Sequence, residues 1–150
     1  MEKVMNNIID LCSDLELDER KTEKEVIKLF KNYRIAKEKQ KIIRERYKAA
    51  LSSDNLSSMG TIKSDPTGNK VEQIARYDAF INKIDEIYKL FSQNLTKDEK
   101  VIYKKTLETH HSHESVQEEL SIASSSTYYI RKRSCYLKVA MWFDLEVYKK

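Results

Sequence analysis

The sequence predicts an all-α protein, and three observations carry that prediction. Among 150 residues there are 2 glycines and 1 proline, so the tight positive-φ turns that join strands have almost nothing to build on. Apolar residues recur at intervals of three and four along most of the chain, which is the period of one helix face. Two pairs, Thr22 with Glu25 and Thr96 with Glu99, have the capping-box spacing in which a hydroxyl and a carboxylate satisfy each other's backbone amides at a helix start. The expected architecture is a helical N-terminal region, a long central helix and a C-terminal helix-turn-helix.

Taken in order, residues 2–12 place Val4, Met5, Ile8, Ile9 and Cys12 on one helical face, and residues 14–19 read as an acidic exit. A long helix is expected to open at Thr22. Val26, Ile27, Phe30 and Tyr33 give it an apolar stripe, which Ile42, Ile43 and Tyr47 continue at a shifted angle, as a bend would allow; its other face is mostly lysine and arginine. The stretch SSDNLSSMGTIKSDPTGN, residues 52–69, holds both glycines and the proline and supplies little to bury, so it reads as a linker. The domain plan is a basic helical region 1–52, a linker 53–69, a central amphipathic helix 70–94 and a C-terminal helix-turn-helix domain 95–150. In the central helix Ile74, Tyr77, Ile81, Ile84, Tyr88 and Phe91 step by three and four, a seam that needs a partner helix. The same chain and a second copy, in a homodimer, are both open as its source.

Composition excludes several classes. With 35% charged and 40% hydrophobic residues, the chain is too polar for a membrane protein and too apolar for general disorder. No run approaches the roughly 18 apolar residues of a membrane helix, and no secretory core follows Met1. A soluble protein that stays inside the cell is expected. Cys12 and Cys135, far apart, read as buried or reduced thiols rather than a disulfide. An enzyme is not expected. His110, His111 and His113 are the only histidines and lack nearby thiol ligands, Gly60 and Gly68 form no phosphate loop, and Glu118 and Glu119 sit at successive helical positions that point apart. Neither a metal nor a cofactor is expected.

The net charge of +4 is mild, but it is unevenly placed. Residues 21–50 carry 11 basic and 4 acidic side chains and residues 125–150 carry 6 and 2, whereas residues 1–20 carry 2 and 6. Basic segments among acidic ones are what particular faces meeting a polyanion would produce; solvated lysine-rich helices would look the same.

The C-terminal third is the most specific part. After the capping box at Thr96, a helix with Val101, Ile102 and Leu107 is followed by a helix from His113 to Leu120, a short turn, and a third helix from about Ser124 into the 140s. Three short helices at this spacing suit a helix-turn-helix, whose last helix enters the major groove. Val116, Leu120 and Ile122 fall at its buried positions, Ser121 where the turn commonly has glycine, and Gln117 where alanine is common. Thr127, Ile130, Ser134, Leu137 and Met141 are expected to face inward, leaving Ser124, Ser125, Ser126, Tyr128, Tyr129 and Lys132 at the exposed edge. Serine and tyrosine hydroxyls can meet base edges and phosphates, while Arg131, Lys132 and Arg133 can neutralise phosphates. Ser124 is equally suited to cap the helix.

The stretch LTKDEKVIY, the helix-turn-helix HESVQEELSIASSSTYYIRKR and its continuation LKVA together resemble the ArpU/RinA-like family of phage late-gene transcriptional regulators. That family is itself similar in its C-terminal half to region 4 of sigma factors. The S-x-x-TYY-x-x-KR run is the most specific element, although this chain carries an extra serine before it. Upstream, DERKTEKEVIKLFKNYRIAKEK resembles the family's basic N-terminal helix, and DPTGNKVEQIA the entry to its central helix, so the likeness covers roughly residues 17–143. It implies a phage or prophage protein that binds double-stranded promoter or operator DNA and activates late or packaging genes, with host RNA polymerase as a partner to consider. Two other readings stay open: an oligomerising, small-terminase-like packaging protein, and a sigma-like factor that binds polymerase. The basic N-terminal helix fits a second DNA contact or a surface for polymerase or another copy.

Overall fold

The structure, a computed structural model, describes residues 16–51 and 67–149. It is all-α. Helix α1 covers Glu19–Leu51, α2 Thr67–Phe91, α3 Lys97–Ile102, α4 His113–Glu119 and α5 Ser125–Phe143; a 3-10 turn at Ser92–Asn94 precedes α3 and a π-helical stretch at Tyr103–Glu108 extends it. The expected helix at 2–12 and most of the expected linker lie outside the described residues, and the last three linker positions, 67–69, already belong to α2.

The described residues divide into two compact units, 16–30 with 91–149 and 31–51 with 67–90. This grouping cuts across the expected partition at 52 and 95, because α1 and α2 each contribute to both units.

In the first unit, α1 opens three residues earlier than the Thr22–Glu25 capping box predicts. Asp18 is the reason: its Oδ1 accepts from the Lys21 amide at 3.1 Å, satisfying a donor that the helix start would otherwise orphan. Thr22 is instead buried inside the first turns. Its hydroxyl donates to the Asp18 carbonyl at 2.7 Å and accepts from the Val147 amide at 3.0 Å. Leu17 also forms an antiparallel bridge with Tyr148, so the segment ahead of α1 is clasped to the segment after α5. The core is aromatic. Phe30 meets Tyr103 edge-on at 5.2 Å, and Phe91 meets Tyr103 edge-on at 5.9 Å while stacking on Trp142 at 5.8 Å. Ile102, Leu107, Val116, Cys135 and Val139 close it. The Thr96–Glu99 box forms as predicted, with Glu99 N donating to Thr96 Oγ1 at 3.2 Å and Thr96 N donating to Glu99 Oε1 at 2.9 Å.

In the second unit, residues 31–51 of α1 run antiparallel to α2. Tyr33 and Ala36 are buried on one helix and Ile81 and Ile84 on the other. The Tyr33 hydroxyl donates to Asp85 at 2.7 Å, and Gln40 and Arg44 both reach Asp78. The seam read in the central helix therefore has a partner helix in the same chain. Helix α1 is uninterrupted, and its shifted apolar positions are only partly used: Ile42 is exposed at 36% and Tyr47 at 54%.

Candidate nucleic-acid interface

The turn between α4 and α5 is built from residues 120–124. Ser121 has φ 56°, the left-handed conformation that glycine adopts most easily and that lets a helix stop and the chain reverse. The Ser121 amide donates to Glu118 O at 3.0 Å and the Ile122 amide to Gln117 O at 3.1 Å. Gln117 does more than fill an alanine position. Its Nε2 donates to the Ile122 carbonyl at 3.0 Å and its Oε1 accepts from the Ser125 hydroxyl at 3.4 Å, so one side chain ties the end of the turn to the start of α5. Serines cap both helices: Ser112 accepts from Ser115 N at 3.2 Å, and Ser124 accepts from Thr127 N at 3.4 Å.

The rotation of α5 about its axis differs from the expected one. Tyr128, Cys135, Tyr136, Val139 and Ala140 are buried, whereas Ile130 is 70% and Met141 67% exposed. The expected inward stripe of Thr127, Ile130, Ser134, Leu137 and Met141 therefore lies on the outer side, with only Leu137 half-buried. Ring area decides the matter, since burying two tyrosines removes more apolar surface from water than burying Ile130 and Met141 would.

The expected reading edge divides accordingly. Ser124 is spent on the cap, with a second bond to the Ser126 hydroxyl at 2.9 Å, and Ser125 and Ser126 are exposed. Tyr128 leaves the edge. It is fully buried, its hydroxyl is hydrogen-bonded to His113 Nδ1 at 2.8 Å, and burial pushes its pKa well up. Tyr129 stays on the surface at 45% exposure, edge-on to Tyr128. His113 is held below its ordinary pKa by burial first and by the Lys132 charge second, so the neutral ring is favoured beside Tyr128. His111 bonds Thr109 at 2.7 Å instead.

The cations of α5 are engaged. Arg131 pairs with Asp98, and Lys132 with Glu23 at 3.4 Å while its Nζ lies over the Tyr129 and Tyr136 rings. Arg133 meets Glu19 at 3.4 Å and Glu23 at 3.7 Å. Lys138 donates to Glu99 at 2.8 Å. Glu99 collects most: its carboxylate also accepts from Ser134 at 3.3 Å, and its carbonyl from the Cys135 thiol at 3.4 Å. Burial alone would raise the Glu99 pKa, but the bonds from Lys138 and Thr96 outweigh it and hold the carboxyl below its ordinary value. Burial pushes the Cys135 thiol strongly up, which makes it an inert packing residue.

Sequence reading missed the residues that face these cations. Glu19, Glu23, Asp98 and Glu99 come from α1 and α3, and no local pattern around 131–138 announces them.

Among the described residues no helix is long and apolar enough to cross a membrane, and no three histidine, cysteine or acidic side chains group as metal ligands. Comparison with protein-family models, with curated proteins and with solved structures finds no match.

Proposed function

We propose that the protein is a sequence-specific duplex-DNA-binding regulator of transcription that uses α4, the turn and α5 as its helix-turn-helix. The observation that carries this reading is the outward N-terminal edge of α5. Ser125, Ser126, Thr127, Tyr129 and Ile130 are exposed there on a helix whose start is fixed by the Ser121 turn and by Gln117. In a major groove such hydroxyls meet base edges and phosphates, and a branched apolar side chain meets thymine methyl groups. The likeness of HESVQEELSIASSSTYYIRKR to phage late-gene regulators supports a phage or prophage origin, activation of late or packaging genes and host RNA polymerase as a partner. A non-enzymatic role in the bacterial cytoplasm goes with that reading.

The test is recovery of bound fragments from a pool of genomic duplexes, followed by affinity for the enriched and for random sequences. Ser126→Ala or Ile130→Ala is expected to reduce the discrimination between the two by about 1–3 kcal/mol. Equal loss on both sequences would move these residues off the bases.

A second reading, an oligomerising packaging protein, is favoured by the ion-paired cations of α5 together with the exposed Ile130 and Met141 on its outer side. Light scattering separates the two, since a ring of many copies supports packaging and a monomer or dimer supports the regulator.

A further inference from the structure

Most of the positive charge lies away from the helix-turn-helix. Residues 16–30 and 91–149 of the first unit carry thirteen basic and thirteen acidic side chains, whereas residues 31–51 and 67–90 of the second carry twelve and six. The excess is concentrated in the second half of α1, where residues 31–51 hold eight basic and two acidic side chains. Arg34, Lys37, Lys41, Arg44 and Lys48 follow one another at steps of three, four, three and four within a single uninterrupted helix. That spacing keeps them in one row along about 21 Å of helix.

Lys37, Lys41, Arg44 and Lys48 are exposed and Arg34 is half-buried. Lys37 Nζ lies 4.7 Å from the Tyr33 ring centroid, and Arg44 is bridged to Asp78 at 3.1 Å. Tyr33 is in turn fixed by its bond to Asp85.

We infer that this row is a sequence-independent contact to the phosphate backbone of duplex DNA. The inference rests on the reading of the protein as a DNA-binding protein and locates its electrostatic footprint. A duplex presents one negative charge per about 1.7 Å of axis, so a row of about 21 Å lies beside roughly a dozen phosphate charges. The row contains no apolar side chain, whereas a protein partner would be expected to find an aromatic or aliphatic anchor at the centre of its contact. A lipid surface requires an exposed apolar face on the same helix. Here Tyr33 and Ala36 are buried, the exposed Ile35 and Ile42 lie among Lys31, Glu38, Lys39, Glu45 and Arg46, and the exposed Tyr47 is a single ring between Arg46 and Lys48 rather than an apolar face.

The experiment compares the full chain with K37Q/K41Q/K48Q and with K31Q/K39Q/R46Q, which removes equal charge from outside the row. Affinity for a short random-sequence duplex is measured across salt concentration, with circular dichroism to verify helix content. The row variant is expected to lower the slope of log K against log salt by about two to three and to lose at least roughly tenfold in affinity near 0.1 M salt. The control variant is expected to change much less. An unchanged slope, or equal changes in the two variants, overturns the inference, as does a chain that binds phosphatidylserine vesicles or heparin but no duplex. Loss of sequence discrimination with an intact row effect would defeat the regulator reading alone, and an unchanged slope in a chain that still discriminates would defeat the row alone.

Discussion

Helix α5 and the second half of α1 both carry dense runs of lysine and arginine, but the fold puts them in opposite surroundings. On α5, Arg131, Lys132, Arg133 and Lys138 each face a carboxylate from α1 or α3 within their own unit. On α1, Lys37, Lys41 and Lys48 stand exposed in a unit whose described residues, 31–51 and 67–90, carry twelve basic and six acidic side chains. Under the proposed function, a basic run serves as a footprint where most of its cations stay exposed, as Lys37, Lys41 and Lys48 do beside the Asp78-bridged Arg44. In the first unit the same residue types serve as internal ties, and on that same proposal α5 would read bases rather than supply most of the charge.

The largest effect expected from breaking this contrast comes from the core side of α5. Tyr128→Ala removes a fully buried ring packed on Tyr129 and His113 and should destabilise the first unit by about 3–5 kcal/mol, the range for large aromatic truncations. Tyr129→Ala, at a half-exposed position, should cost under about 1 kcal/mol. Thermal or urea denaturation checks both. A Tyr128→Ala protein of wild-type stability that fails only in base discrimination would return Tyr128 to the reading edge.

Next in size is the tie at Glu99. Glu99→Gln keeps hydrogen-bonding atoms for Thr96 and Ser134 but removes the charge facing Lys138, and should cost about 1–2 kcal/mol. The exposed Arg44–Asp78 pair in the other unit is worth less than about 1 kcal/mol when Asp78→Asn breaks it. The sign with pH follows from the lowered Glu99 pKa. Its stabilising contribution is fully present above the ordinary carboxylate value of 4.5 and is lost as pH falls through the lower folded value. Urea midpoints measured across the acid range should show a shallower decline for Glu99→Gln. Parallel curves would mean that the charge contributes nothing.

The all-α class and the turn before α5 were legible in the sequence because they rest on local signals. The Thr96–Glu99 box, the serine caps and Ser121 in the turn each act within four residues of their partners. The face of α5 was not legible, because Tyr128, Cys135, Tyr136 and Val139 compete with Ile130, Leu137 and Met141 for the inward side. The choice depends on ring area and on His113 fifteen residues away. The start of α1 was misread for a similar reason. Thr22 has the right spacing for a cap, but its hydroxyl is committed to Val147, 125 residues further on. The pairing of Arg133 with Glu19 and Glu23 is equally non-local.

The sharpest test of the contrast is removal of the acids that face α5. Glu19 and its partner Arg133 are both about half exposed, so that pair is worth under about 1 kcal/mol. Glu23 is buried, and glutamine at the same place keeps its size and acceptor oxygen. An E19Q/E23Q protein should therefore fold, with a loss of about 1–2 kcal/mol, most of it from Glu23, whose pair with Lys132 is largely buried. Its affinity for random duplex should rise and its salt slope steepen by about one, as Arg133 becomes available to a phosphate. Lys132 is expected to add less, because its ammonium stays between the Tyr129 and Tyr136 rings. If the slope is unmoved, Arg133 does not face phosphate even when released, and the difference between the two basic helices is one of position rather than of neighbouring acids. A slope as steep as that carried by the α1 row would instead make the acids of α1 the main control on DNA affinity.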